Sequence, residues 1–143
     1  MYKNVLIATD GSPLATHAAK QGIALAKAVG AKVTAVNVTE PFHWFAPNLP
    51  ADAQPAYVQG MQQVAARALG IVADAAKAAG VSCEMAHIEA EHPYEAIIET
   101  AISKHCDLIV MASHGRSAAS AVLLGSETMK VLTHSKIPVL VYR

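Results

Sequence analysis

Hydrophobic positions in this chain fall in short continuous runs, separated by longer segments with helical spacing. Val5–Thr9 is an unbroken run that stops in Thr9-Asp10-Gly11-Ser12-Pro13. Ser12 as N-cap and Pro13 at the first helical position predict a helix running to about Val29. Leu14, Ala18, Gly22 and Ala26 lie on one face of it, and Gly30 stops it. Lys32–Val38 reads as a second strand with both faces apolar, hence buried. Gln54–Ala79 is an Ala-rich helix with Tyr57, Met61, Val64, Ala68, Ile71 and Ala75 on one side and Gly80 at its end. Ser82–Ile88 reads as a third strand, with Glu84 marking a sheet edge. Pro93 opens a helix that carries Ile97, Ile98, Ala101 and Ile102 and ends near His105. Leu108–Met111 is a fourth strand, Ser126–His134 a short helix with Met129 and Leu132 inward, and Val139–Tyr142 a last strand behind Pro138.

Strict alternation of this kind predicts one α/β domain over 1–143: a parallel sheet with right-handed crossovers and helices on both faces. Ligands of such sheets sit beyond the carboxyl ends of the strands, where the strand order reverses. Asp10 follows the first strand and Met111-Ala112 ends the fourth, so adjacency of those strands would bring both loops to one crevice. Residues Thr39–Ala53 break the regularity with three prolines and the aromatic cluster Phe42, Trp44 and Phe45. A loop of this length is expected to serve as a surface or partner-contact segment.

The densest chemistry follows the fourth strand, in Ala112-Ser113-His114-Gly115-Arg116-Ser117 and on to Leu124-Gly125-Ser126. Strand, Gly-containing loop and helix N-terminus together place free N–H groups and a helix dipole against an anion. One reading has Gly115, Gly125, Ser126 and the N–H of Glu127 hold phosphate groups. The other is an ordinary βα turn with glycines for tight geometry.

Composition narrows the field. The 143 residues are 53% hydrophobic, and 11 Lys and Arg balance 11 Asp and Glu. That balance removes the electrostatic case for nucleic acid or an acidic membrane surface. No apolar run reaches the roughly 20 residues of a membrane span, and no signal-peptide pattern opens the chain, so a cytoplasmic protein is expected. Cys83 and Cys106 lack metal or redox spacing and read as buried free thiols. The seven histidines show no zinc-helix spacing and read as scattered imidazoles.

These residues resemble the universal stress protein family in its nucleotide-binding branch. The family signature is Gly, two residues, Gly, nine residues, then Gly followed by Ser or Thr. Here it reads Ala112-Ser113-His114-Gly115, nine residues from Arg116 to Leu124, then Gly125-Ser126. The similarity also takes in Val5 to Ser12 and Leu132 to Val141. It implies a flavodoxin-like, Rossmann-like open sheet of order 3-2-1-4-5 that binds ATP (or ADP or AMP), with Mg²⁺ or Mn²⁺ on the phosphates. Carried over by position, Ala8, Thr9 and Asp10 line the base and ribose side. Val38 lies against the adenine, Met111 and Ala112 lie beside the nucleoside, and Gly115, Gly125, Ser126 and Glu127 surround the phosphates. The resemblance also implies a homodimer paired through Val139–Tyr142, which agrees with an apolar edge strand that needs cover. One position departs from the signature: Ala112 replaces its first glycine. The methyl is expected to crowd the ribose or, if φ must be positive, to cost about 1–2 kcal/mol. Either weakens binding about tenfold.

His114 and Arg116 are further candidates for phosphate contact, each against a loop-orienting or solvated reading. Asp10 has three readings: a ribose or hydrated-metal contact, an Asx turn, or a general base. The last has no positioned nucleophile and no phosphate-loop lysine beside it, and no direct protein ligand set for a metal is evident. A regulatory binding module is therefore expected rather than a dedicated enzyme. The alternatives are a slow ATPase or autophosphorylating protein, with Ser117, Ser120 or Ser126 as acceptor, and a dimeric scaffold without nucleotide.

Overall fold

A computed structural model describes residues 1–41, 47–115 and 124–143. The elements are β1 (Asn4–Ala8), α1 (Pro13–Val29), β2 (Lys32–Thr39), α2 (Gln54–Ala79), β3 (Cys83–Glu89), α3 (Pro93–Ser103), β4 (Leu108–Ala112), α4 (Ser126–His134) and β5 (Val139–Tyr142). The strands form one parallel sheet in the order β3-β2-β1-β4-β5. Glu84 does lie on an edge strand, and the alternating pattern does produce the expected open α/β sheet.

Each face of the sheet carries its own core. Val5, Ile7, Val33, Ala35, Leu108 and Val110 pack against Ala19, Ile23 and Ala26 of α1 and Leu69, Val72 and Ala76 of α2. Leu6, Val36, Ile109 and Met111 face the other way, onto Ile97 and Ala101 of α3 and Val131 of α4. The period of two along each strand thus supplies both layers. α1 sits very close to the sheet: a Cβ at Gly22 would come within 3.1 Å of the Ile7 and Val110 side chains. Both α1 and α2 end on a left-handed glycine, Gly30 at φ 74° and Gly80 at φ 73°.

The structure bears out Ala18, Gly22 and Ala26 on the α1 face, widens that face, and corrects the faces of α2 and α4. On α1 the buried stripe is Ala15, Ala18, Ala19, Gly22, Ile23 and Ala26, and Leu14 is only half-buried. On α2 it is Ala65, Ala68, Leu69, Val72 and Ala76, one residue on from the expected set, leaving Val64 and Ile71 exposed. Alanines on every side give that helix two apolar stripes of helical period, and only the one holding Leu69 and Val72 meets the sheet. On α4, Thr128 and Val131 point inward while Met129 and Leu132 are 55% and 41% exposed. A threonine can take the inward position because its Oγ1 donates to the Ala112 carbonyl at 2.9 Å. α3 ends two residues earlier than expected, with His105 in the left-handed region at φ 54°.

Cys106 is buried but Cys83 only partly so. They belong to opposite faces of the sheet, which keeps them from pairing. Burial raises both thiols above the ordinary cysteine value. Among the described residues no helix is long and apolar enough to cross a membrane.

Candidate functional site

β1 and β4 are neighbours, with Val5, Leu6 and Ile7 paired to Leu108, Ile109 and Val110. The strand order reverses between them, because β1 leads outward to β2 and β4 leads outward to β5. A cavity of about 350 Å³ opens beyond their carboxyl ends, the position such sheets use for ligands. Its floor is apolar: Ala8, Val36 and Val38 from the strands, Met111 from β4, and Pro93 and Ile97 from α3.

Two loops form the walls. The first, after β1, contributes Thr9, Asp10 and, from α1, Ala15. It is closed by its own side chains. Thr9 Oγ1 accepts the Gly11 N–H at 3.1 Å, Asp10 Oδ1 accepts the Ser12 N–H at 2.9 Å, and Ser12 Oγ accepts the Ala15 N–H at 3.2 Å. Gly11 stands at φ 78°, a conformation that favours glycine. Of the three readings of Asp10, the Asx turn is therefore present.

The second loop, after β4, contributes Ala112, His114 and Gly115, and the start of α4 adds Gly125, Ser126, Glu127 and Thr128. Here the helix N-terminus begins on a glycine: Gly125 is the N-cap residue, extended at φ −63° and ψ 153°, and among the described residues no side chain caps the helix. Two bonds aim it at the cavity. The Gly125 N–H donates to the Ser113 carbonyl at 2.7 Å, and Thr128 Oγ1 donates to Ala112. A third bond joins α4 to α3, where Glu127 Oε2 accepts the Tyr94 N–H at 2.9 Å. That carboxylate serves as the cap α3 lacks, since His92 offers no side-chain bond at its own N-cap position.

Close approach, not a positive φ, is what disfavours a side chain at positions 115 and 125. A Cβ on Gly115 would stand 2.8 Å from Asp10 Oδ2, and one on Gly125 would stand 3.0 Å from His114 Cα. The first contact is where the two loops touch. Ala112, in contrast, is a strand residue outside the positive-φ set, so the expected backbone strain is absent. Its side chain clusters with Ala15, Ala18, Leu14 and Tyr142, and it is 7% exposed. Most of the extra methyl is therefore spent under α1 rather than in the cavity.

The structure thus gathers Ala8, Thr9, Asp10, Val38, Met111, Ala112, His114, Gly115, Gly125, Ser126 and Glu127 around one cavity. Arg116, Ser117 and Ser120 lie outside the described residues. The half-buried His114 has Nδ1 3.2 Å from Ser113 Oγ, the loop-orienting arrangement. Sequence reasoning missed Ala15, Val36, Thr128, Pro93 and Ile97 as lining residues. Thr128 carried a signal, a hydroxyl in the first turn of a helix beginning at a glycine. Pro93 and Ile97 carried none, because only the crossover places α3 over Val36. Among the described residues no three His, Cys, Asp or Glu side chains converge as a metal site.

Comparison with known proteins agrees with this geometry. The universal stress protein family model matches residues 1–143. A universal stress protein from Thermus aquaticus, encoded in the QAH/OAS sulfhydrylase 3′ region, is 34% identical over 143 residues, covering 100% of both chains. Among solved structures, the hypothetical protein MJ0577 superposes with a TM-score of 0.81 at 25% identity, over 99% of this chain and 96% of that one. A universal stress protein in complex with cAMP superposes with a TM-score of 0.70 at 28% identity, over 99% and 97%. With the whole chain matched and the sheet in the expected order, the chain belongs to the universal stress protein family.

Proposed function

We propose that this chain is a regulatory module that binds an adenine nucleotide (ATP, ADP or AMP) in the cavity beside β1 and β4. One observation carries the reading: a single cavity joins an apolar floor to a helix N-terminus that, among the described residues, has no side-chain cap. A purine laid on Val36, Val38, Met111 and Ile97 gains roughly 25 cal/mol for each Å² removed from water. A phosphate at the N–H groups of Ser126, Glu127 and Thr128 gains the hydrogen bonds and the dipole term, the latter about 0.3–2 kcal/mol. The cAMP complex of a relative at 28% identity supports the same ligand class.

Mg²⁺ or Mn²⁺ would ride on the phosphate oxygens. Asp10, whose Oδ1 accepts the Ser12 N–H, is the lining residue proposed to reach that metal through water. The proposed setting is the cytoplasm, as a homodimer. β5 supports that assembly: it is an edge strand paired to β4, and all four of its residues are half-buried. Pairing with a second β5 across a two-fold axis would cover them. A Val141→Asp variant should then sediment as a monomer while the wild type sediments as a dimer.

The nucleotide reading is tested by calorimetric titration with AMP and MgATP, in the wild type and in a Gly115→Ala/Gly125→Ala double variant. Micromolar binding in the wild type and its loss in the folded double variant are expected. Absence of binding by folded wild type would refute the reading.

A further inference from the structure

We infer that Asn37 is a positioning residue for the nucleotide site, an inference that rests on the reading proposed above. Asn37 lies in β2 between Val36 and Val38, two residues of the cavity floor. Side chains alternate along a strand, so position 37 falls with Val33 and Ala35 on the face toward α1 and α2. Asn37 stands outside the cavity lining and is only 5% exposed. An amide buried on an apolar face needs a reason. Its Nδ2 donates to the Thr9 carbonyl at 2.9 Å, and its Oδ1 has no partner among the described residues. The bond that this side chain makes is the one to Thr9.

Thr9 is where β1 leaves the sheet and becomes a cavity wall. Its N–H still follows the ladder, donating to the Val36 carbonyl at 3.0 Å. Its carbonyl turns to the Asn37 side chain, so β2 grips both polar groups of the Thr9 main chain. Beyond that grip, Thr9 Oγ1 accepts the Gly11 N–H and Asp10 accepts the Ser12 N–H. Those two bonds each span two residues, and they fix the shape of the loop. The Asn37 bond spans 28 residues and fixes where the loop stands over the sheet. It ties the wall of Thr9 and Asp10 to the floor of Val36 and Val38, the chain neighbours of Asn37. A ligand held between floor and wall gains affinity from their being set in register before it arrives. Leucine at position 37 would fill a similar volume and release the grip. It would remove the unpaired Oδ1 and leave the Thr9 carbonyl without this donor, two changes that offset one another in stability. Affinity has no such offset.

The full chain and its Asn37→Leu variant are compared by calorimetric titration with AMP, by thermal unfolding, and by amide NMR without ligand. Asn37→Leu should keep Tm within about 3 °C of the wild type. It should weaken AMP binding about fivefold, the weight of one neutral hydrogen bond. Its amide shift changes should concentrate at Ala8 to Ser12 and leave Ser126 to Thr128 unmoved. Asn37→Ser shortens the side chain out of reach of the Thr9 carbonyl and should show the same loss of affinity, so it carries the test if the leucine variant does not fold. Leu69→Ala, on α2 in the same core, is the stability control: its Tm should fall while its AMP affinity stays within about twofold. Wild-type affinity in the folded position-37 variants overturns the inference and leaves the nucleotide site standing. So does an affinity loss in Leu69→Ala as large as that in Asn37→Leu, which would make the effect one of general stability. If the folded wild type binds no AMP, the nucleotide reading itself falls, and the inference with it.

Discussion

The two loops that flank the cavity start from the same plan, a parallel strand feeding a helix, and finish in opposite states. After β1, three side-chain acceptors in succession take up the Gly11, Ser12 and Ala15 N–H groups. After β4, the helix begins on a glycine with no side-chain cap among the described residues, and the bonds that fix it come from the Gly125 N–H and the Thr128 hydroxyl. Polar groups at helix ends must be satisfied by something. One loop satisfies them internally and gains stability, whereas the other holds them out to the cavity. The first is therefore a structural wall, and the second is where binding energy toward an anion can arise.

The largest expected effect comes from filling the contact points of the open loop. Gly125→Ala would drive a methyl against the His114 backbone. It should weaken nucleotide binding by tenfold or more while costing about 1–3 kcal/mol of stability, read by calorimetry and urea unfolding. Thr128→Val comes next. It leaves the Ala112 carbonyl without its 2.9 Å partner, at a cost of about 1–3 kcal/mol, and frees the N-terminus of α4 to drift. Stability and affinity should fall together.

The closed loop should separate the same two quantities. Ser12→Ala removes the α1 cap and should cost about 1 kcal/mol, lowering Tm by about 2–4 °C. Nucleotide affinity should stay within about twofold. If Ser12→Ala weakened binding as much as Gly125→Ala, the distinction between wall and anion site would be wrong. The smallest effect is assigned to Ala112→Gly. Because Ala112 is an extended strand residue packed on Tyr142, the change should cost about 0.5–1 kcal/mol and alter affinity by less than about threefold. A tenfold gain would show that the methyl does obstruct the ligand.

Much of the fold was legible because this architecture repeats one device. Continuous apolar runs mark buried parallel strands, and Ser12-Pro13, Gly30 and Gly80 punctuate the helices between them. Amphipathic faces were less legible. α2 carries alanine on every side, so periodicity alone does not choose between the stripe holding Leu69 and Val72 and the one holding Val64 and Ile71. On α4 the inward residue is a threonine whose hydroxyl is satisfied by a carbonyl sixteen residues away, and hydrophobicity gives no hint of that. The loop motifs located the cavity because both glycines sit where backbone meets backbone or carboxylate. The part played by Glu127 as the cap of α3 was hidden, since it depends on a contact across 33 residues that only the sheet order creates. Of the two effects expected at Ala112, backbone strain does not arise, because a signature glycine suggests a positive φ that this residue does not adopt. Here position 112 is the last residue of β4.

The most direct test of an open α4 beside a closed α1 is an amide NMR titration of the full chain with AMP. The N–H signals of Ser126, Glu127 and Thr128 should show the largest shifts and gain protection from hydrogen exchange, while those of Ser12 and Ala15 stay nearly fixed. Shifts concentrated at Ser12 and Ala15, with Ser126 to Thr128 unmoved in the bound state, would contradict the assignment of the phosphate to α4.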